Sequence, residues 1–255
     1  IDQNQFEIVT LNKKINEQVS DIGQNSINLP LGNVKITRPV KALDIIIRTC
    51  SSVNMLTQNK ARLFEREKIE YTLRTIISII NSVNYNPMLK KIRISYKVVD
   101  HNSSRENLLK IDTIFKKYNI DYKLINLDVS KFEKEIYEVN ERGDKVSYNQ
   151  ISNMANINQS LEESKNSEDL IYFVEDDYIH QKNSIGEMIL TYERIASQFN
   201  KEIIICPSDY PYLYTKTEPT QNFLGQDYHW RKVNETLCTF LTSKKMVEKY
   251  WDKYL

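Results

Sequence analysis

Residues 170–177 read Leu-Ile-Tyr-Phe-Val-Glu-Asp-Asp, five apolar side chains that run without interruption into three carboxylates. An apolar run of this kind, with no polar alternation, is typical of a strand buried on both faces of a parallel sheet. Ligands of such sheets bind beyond the carboxyl ends of the strands. The stretch therefore predicts both a parallel sheet and the place of its ligand site.

Strand and helix patterns alternate on both sides of this stretch. Short apolar or β-branched runs predict strands, and apolar residues at helical spacing predict helices. The other predicted strands are 43–47, 92–99, 122–127 and 203–206, and the predicted helices are 69–83, 108–118, 151–164 and 185–199. This alternation is typical of βαβ units. We therefore predict one α/β domain, residues 41–255, with a mostly parallel sheet flanked by helices, after an irregular arm, residues 1–40.

Composition and charge argue against several classes of protein. The chain has 35 basic and 34 acidic residues, a formal net charge of +1, so nothing in its charge favours nucleic acid as a partner. No apolar run approaches the roughly 18 residues of a membrane span, and no signal-peptide pattern is visible. Cys50, Cys206 and Cys238 lack metal-site or disulfide spacing, and a reducing, cytoplasmic compartment fits them best.

The ends of the chain have the pattern of a fragment. It begins with Ile1, and residues 246–255 resemble an unfinished helix. We expect a domain cut from a longer protein and truncated at its C-terminus. Membrane association, if there is any, would come through parts not in this chain.

Glu175, Asp176 and Asp177 are the first candidate site. Three like charges at a strand end raise one another's pKa values unless a cation is present, and Mg²⁺ or Mn²⁺ is the hard divalent ion that carboxylate oxygens suit. The chain has five glycines and no glycine-rich phosphate loop, so phosphate would be held through a metal and side chains. The alternative is a solvated acidic strand end that suits the dipole of the following helix.

Three stretches carry a resemblance to a known family, in the same order along the chain. They are Ile45-Ile46-Ile47-Arg48-Thr49-Cys50, Val98-Val99-Asp100-His101-Asn102-Ser103 and Val174-Glu175-Asp176-Asp177. The first resembles the first strand and loop of family-two-like GT-A glycosyltransferases. The second is similar to their second strand, whose terminal Asp contacts the uracil or ribose, although Asp-His-Asn-Ser replaces the usual Asp-Asp-Gly-Ser. The third resembles the D-x-D metal motif in an E-D-D form.

The resemblance, which spans about residues 43–240, implies a metal-dependent glycosyltransferase of the GT-A fold. Such an enzyme moves a sugar from a nucleotide-diphosphate sugar, here a UDP-sugar as the best guess, to a glycan or lipid-linked acceptor, as in surface or capsular polysaccharide synthesis. The implied ligands of Mn²⁺ or Mg²⁺ are Asp177 and Glu175. The implied nucleotide-sugar contacts are those of Arg48, Thr49, Asp100 and Asp176. Ordinary turn chemistry is an equal alternative for Thr49 and Asp100.

The downstream third of the chain supplies the candidates for acid–base chemistry. Asp209 lies in a loop rich in tyrosine, whose rings can stack on a sugar, and it leads the candidates for acceptor binding or general base. The resemblance implies that a late histidine, His229, reaches the metal or diphosphate, and Arg231 would clamp a phosphate. The alternative is a half-buried Trp230 with polar flanks. Other candidate bases are Asp227, His229 and Glu235. Residues 235–236 and 239–242 are predicted to close the acceptor side.

Two other functions compete with this one. A sugar nucleotidyltransferase of a related fold usually carries a glycine-rich first loop, but residues 48–52 contain no glycine. A non-catalytic module could keep the fold and bind a glycan or a protein partner. The intact acidic triplet favours the enzyme.

Overall fold

The computed structural model describes residues 35–52, 66–132, 139, 143–208, 210, 214–215, 220–235 and 237–254. Its strands are β1 (Ala42–Thr49), β2 (Arg93–Asp100), β3 (Tyr122–Asn126), β4 (Leu170–Glu175), β5 (Asn222–Leu224), β6 (His229–Arg231) and β7 (Phe240–Ser243). Its helices are α1 (Lys68–Tyr85), α2 (Arg105–Lys117), α3 (Tyr148–Ser164), α4 (Ser184–Phe199), α5 (Lys244–Lys249) and α6 (Trp251–Tyr254), with 3₁₀ turns at Pro87–Lys91 and Val129–Phe132.

Five strands form one sheet in the order β3-β2-β1-β4-β7. The first four are parallel, and β7 runs antiparallel to β4. β1 lies at the centre, and all eight of its residues are buried, which is why its sequence lacks polar alternation. The predicted mostly parallel α/β sheet is confirmed. β5 and β6 pair with each other in a separate two-stranded hairpin.

Side chains of the parallel strands alternate between two apolar cores. Ile45 and Ile47 belong to the larger core, which includes residues of α1, α2 and α4, whereas Ile46 packs with α3 and α5 in the smaller one. Helices therefore cover both faces of the sheet, as βαβ connections require. The alternation continues beyond the apolar residues, so neighbouring polar residues at a strand end point to opposite faces.

Serine side chains cap the beginnings of two long helices. The hydroxyl of Ser104 accepts a hydrogen bond from the Asn107 amide at the start of α2. α3 begins with a capping box, in which Ser147 and Gln150 each bond the other's backbone N–H. Such caps satisfy amides that have no partner inside the helix.

One prediction about the segments beside β4 is wrong. Residues 203–206 form no extended strand, only one antiparallel bridge between Ile205 and Leu241. The place beside β4 is taken by β7, residues 240–243, which pairs directly with β4, and closure of the acceptor side by residues 235–236 and 239–242 stays a prediction. The apolar side chain of Leu241 opposes Tyr172 in register, and both are fully buried, so burial decides the strand.

Several other expectations concern the ends, the thiols and membranes. Residues 1–34 of the predicted arm lie outside the described residues. The three cysteines are free and half-buried. Of the helices in the described part of the chain, none has the length and apolar character needed to cross a membrane.

Candidate functional site

The strands β1, β2 and β4 end side by side at the carboxyl edge of the sheet. Their register places Thr49 opposite Asp100 and Arg48 opposite Glu175. Side chains that oppose each other on neighbouring strands share a face and can interact. The register thus brings together four residues that the sequence predicts as separate candidates.

Glu175 and Arg48 form an ion pair on the face covered by α3. Nη2 of Arg48 lies 3.0 Å from Oε1 of Glu175, without the alignment of a hydrogen bond, and Nη1 donates to Oδ1 of Asn153 at 3.2 Å. Burial raises the pKa of Glu175; Arg48 opposes this rise, whereas Asp177 and Asp176 add to it. The net direction is upward, so the ionised carboxylate is not fully compensated by the protein.

Asp176 points to the opposite face and is bound by α1. The Asp176 carboxylate accepts hydrogen bonds from Nζ of Lys68 at 2.5 Å and from the hydroxyl of Thr72 at 2.7 Å. It is 5% exposed. Strand alternation therefore separates the acidic triplet, which was expected to act as one repelling cluster, into differently paired carboxylates.

Asp177 lies beyond the end of β4 and is exposed. Although its side chain keeps contact with solvent, partial removal of water by the surrounding residues raises its pKa. Lys68 and Arg48 oppose the rise, and Asp176 adds to it. Asp177 and Glu175 are thus the two carboxylates of the triplet whose charge the protein leaves incompletely balanced.

The described residues do not form a complete protein cage for a metal ion. In the described residues, no group of three or more His, Cys, Asp or Glu side chains is placed to hold a metal ion. Mg²⁺ commonly binds through one or two carboxylates, with substrate phosphates and water completing its shell. Glu175 and Asp177 have the donor chemistry of that mode, and the charge of a nearby cation would oppose the rise in their pKa values that burial causes.

Asp100 braces the loop that follows β2. Its Oδ1 accepts hydrogen bonds from the hydroxyls of Thr49 at 2.7 Å and Ser103 at 2.6 Å, and its Oδ2 accepts from the Ser103 amide at 3.0 Å. The Ser103 hydroxyl in turn accepts from the Ser51 amide at 2.9 Å. This is the turn chemistry weighed as an alternative for Thr49 and Asp100. Contact with a nucleoside stays a prediction for both residues.

The candidates near residue 229 lie on the β5–β6 hairpin. Asp227 and His229 are exposed, and Oδ2 of Asp227 accepts a hydrogen bond from Nδ2 of Asn183 at 2.9 Å. Trp230 is half-buried, and its indole N–H donates to Glu187 at 2.9 Å. The guanidinium of Arg231 lies 4.3 Å from the ring centroid of Tyr214. The contacts of Asp227 and Trp230 tie the hairpin to α4 and to the loop before it.

Two further candidates are placed less fully. Glu235 is exposed, after the end of the hairpin. Asp209 lies outside the described residues. The roles of both as acid–base groups stay predictions.

Three residues at this edge were missed from the sequence. Lys68 is a cation at a helix N-terminus, where the helix dipole disfavours it, and that anomaly, one turn before Thr72, was a usable signal. Glu187 had no such signal, because an acid in the first turn of a helix is ordinary. His180 bonds to the Tyr172 hydroxyl at 2.8 Å, and burial lowers its pKa to about 4, so it is a neutral brace of the loop after β4.

Comparison with known proteins gives one solved structure to report. No protein-family model matches the chain, and no curated protein matches it either. The crystal structure of S. aureus TarS residues 1–349 is similar over 82% of this chain, with a TM-score of 0.43 and 13% sequence identity. The match spans 49% of that structure's chain, about half of its length.

Proposed function

We propose that this chain is a metal-dependent glycosyltransferase that uses a nucleotide-diphosphate sugar. One observation carries the proposal: Glu175 and Asp177 have raised pKa values at the carboxyl edge of a mostly parallel sheet. Ligands of such sheets bind at this edge. Carboxylates that the protein leaves incompletely balanced there suit a divalent ion and the diphosphate that it would accompany.

The proposed cation ligands are Asp177 and Glu175, with Mn²⁺ or Mg²⁺ as the ion. When bound, the ion would neutralise charge on the leaving diphosphate. Arg48 and Lys68 bring two cationic groups to the same edge. Their ion pairs orient the carboxylates of Glu175 and Asp176. Asp176 would reach a donor sugar only by exchanging its bonds to α1.

The nucleoside would lie against the ends of β1 and β2, where Thr49 and Asp100 are already oriented by each other. The proposed donor is a UDP-sugar. The acceptor would be a hydroxyl of a glycan or a lipid-linked sugar, as in surface or capsular polysaccharide synthesis. The candidate bases remain Asp209, Asp227, His229 and Glu235, and Arg231 remains a candidate phosphate contact.

A non-catalytic binding module is the second candidate, and one observation favours it. Asp176 and Asp100 already use their carboxylate oxygens on Lys68, Thr72, Thr49 and Ser103. A site whose acids are satisfied internally needs no ligand. In such a module, the polar residues at the carboxyl edge would serve only to stabilise the fold.

The deciding experiment measures thermal unfolding with UDP, in Mn²⁺ and in EDTA. Wild type should gain about 2.7 kcal/mol at a hundredfold excess of UDP over its Kd, in Mn²⁺ only. Asp177→Asn should lose that gain, since it removes the charge of the exposed ligand. Asp121→Asn, which changes another exposed acid at the start of β3, is the matched control and should keep it.

Two results would contradict the proposal in different ways. Equal stabilisation in EDTA would show that the triplet is not a metal site. No stabilisation by any nucleoside diphosphate, with either ion, would favour the non-catalytic module.

A further inference from the structure

Glu187, in the first turn of α4, has a buried carboxylate that binds the turn of the β5–β6 hairpin. The residue is 3% exposed. Its Oε2 accepts a hydrogen bond from the Asp227 amide at 2.7 Å, and its Oε1 accepts from the Gln226 amide at 3.1 Å and the Trp230 indole N–H at 2.9 Å. The Thr191 hydroxyl also donates to Oε1, at 3.0 Å. One carboxylate thus accepts hydrogen bonds from the helix, from the hairpin turn and from β6.

These donors are all neutral. Among the described residues, the ion pairs include none to Glu187. A buried carboxylate without a cation must be stabilised by hydrogen bonds and by favourable dipoles. Glu187 accepts the hydrogen bonds described above, and its place in the first turn of a helix adds a favourable dipole. Losing the hairpin would leave this charge with few donors, so the carboxylate favours the docked hairpin.

Gly225 shows how closely the hairpin approaches. A Cβ at this position would lie 2.4 Å from Nε1 of Trp230 and 2.5 Å from both Oε1 of Glu187 and the hydroxyl oxygen of Thr191. No side chain fits there without a shift. The turn is therefore seated directly on Glu187, and substitution of Gly225 disturbs the contact from the hairpin side.

The docked hairpin carries candidate residues of the proposed reaction. Asp227 and His229 lie on it, and Asn183, in the loop that follows the acidic triplet, bonds to Asp227. Seating the turn on α4 fixes where these side chains stand relative to that loop. We propose that Glu187 is a positioning residue, which keeps the β5–β6 hairpin docked on α4 so that Asp227 and His229 stay near the loop after the acidic triplet. This proposal rests on the proposed transferase function.

Hydrogen exchange of the 255-residue chain, without any ligand, tests the docking. In Glu187→Gln the amide nitrogen of the new side chain cannot accept from a backbone N–H. Amides 226 and 227 should exchange about 10- to 100-fold faster than in wild type, as expected when a charged hydrogen bond is lost. Gly225→Ala should also speed exchange at amides 226 and 227, although Glu187 itself is unchanged. This second variant keeps the test decisive if Glu187→Gln folds poorly.

Glu193→Gln is the matched control on the same helix. Oε1 of Glu193 accepts a hydrogen bond from the Val40 amide at 2.7 Å. The variant should speed exchange at Val40 and leave amides 226 and 227 protected. Unchanged protection of these two amides in Glu187→Gln would overturn the proposal.

Steady-state transfer then separates positioning from a purely structural role. In Glu187→Gln, kcat should fall about tenfold or more while the Kd of UDP in Mn²⁺ changes less than about twofold, because the hairpin is proposed to serve the chemical step. Released amides with wild-type kcat would overturn the positioning role. Released amides in a chain whose wild type transfers no sugar would overturn the proposed function instead, and leave Glu187 as the anchor of the hairpin.

Discussion

The amino and carboxyl edges of the parallel sheet treat their carboxylates in opposite ways. At the amino edge, the guanidinium of Arg38 binds Asp169 and Glu202, with Nη2–Oδ1 and Nε–Oε1 distances of 2.5 and 2.9 Å. At the carboxyl edge, Glu175 and Asp177 share Arg48 and Lys68 with Asp176. One edge matches its acids with a cation, and the other leaves them only partly matched.

The pKa directions express the same contrast. Burial raises the pKa of Glu202, but hydrogen bonds from Arg38 and from the Tyr192 hydroxyl outweigh it and lower the value to about 2. Burial of Glu175 and partial removal of water around Asp177 raise the pKa values of these two carboxylates, and their cations do not reverse the rise. Unrelieved electrostatic strain of this kind is more common at functional sites than at structural ones. The amino edge compensates its carboxylates within the fold, whereas the carboxyl edge is where we propose that a cation binds.

The largest expected effect comes from removing the cation of the amino edge. Arg38→Ala leaves Asp169 without its cation and leaves Glu202 with only Lys245, whose exposed Nζ lies 3.7 Å from Oε1. The variant should lower the free energy of unfolding by about 3 kcal/mol. Urea denaturation at pH 7 measures it. Arg93→Ala is the matched control, because Arg93 pairs with Glu168 on the surface at 2.9 Å and should matter by less than about 1 kcal/mol. Equal losses of unfolding free energy in the two variants would mean that the Arg38 ion pairs contribute no more than a surface ion pair.

A second test uses pH. Glu202 has a folded pKa of about 2 and an ordinary value of 4.5, so its contribution to stability is fully present above pH 4.5 and is lost as the pH falls toward 2. The difference between wild type and Arg38→Ala should therefore shrink by on the order of 2 kcal/mol over that window. Urea denaturation of both proteins from pH 5 to pH 2.5 measures the change. A difference that stays constant would show that Arg38 acts by packing alone.

The sequence predicts the four parallel strands and their helices because apolar periodicity is a local signal. It fails at residues 203–206, where an aliphatic run makes only one bridge. Only one segment can pair with the free edge of β4. Residues 240–243 pair there, with the side chain of Leu241 fully buried. Competition of this kind is settled by tertiary packing, which propensity does not contain.

The sequence also predicts where the candidate site lies, but it does not predict which side chains contact the acidic triplet. The apolar run before Glu175 locates the carboxyl edge. The partners of the triplet come from β1 and α1, at Arg48, Lys68 and Thr72, about 100 or more residues away in sequence. Register and helix placement decide these contacts. Strand alternation alone, applied to Glu175 and Asp176, would have predicted that the two point to opposite faces.

The smallest expected effect is at Asp177, measured without metal. Its folded pKa is above the ordinary 3.8, so the ionised side chain opposes folding at neutral pH. Asp177→Asn should raise the free energy of unfolding at pH 7 in EDTA by about 0.5 kcal/mol or less, since an exposed charge is screened by water. The gain should disappear as the pH falls below 3.8, where the carboxyl is protonated in both states.

Urea denaturation in EDTA from pH 3 to pH 8, at low and high salt, resolves so small a difference when wild type and variant are measured together. Asp121→Asn supplies the baseline for loss of an exposed acid at the other edge. Salt should reduce the gain in Asp177→Asn, because screening weakens repulsion between carboxylates. A variant that is less stable than wild type at pH 7 would show that the Asp177 carboxylate is satisfied by its own loop. The carboxyl edge would then be as well balanced as the amino edge, and the electrostatic reason for a cation there would be gone.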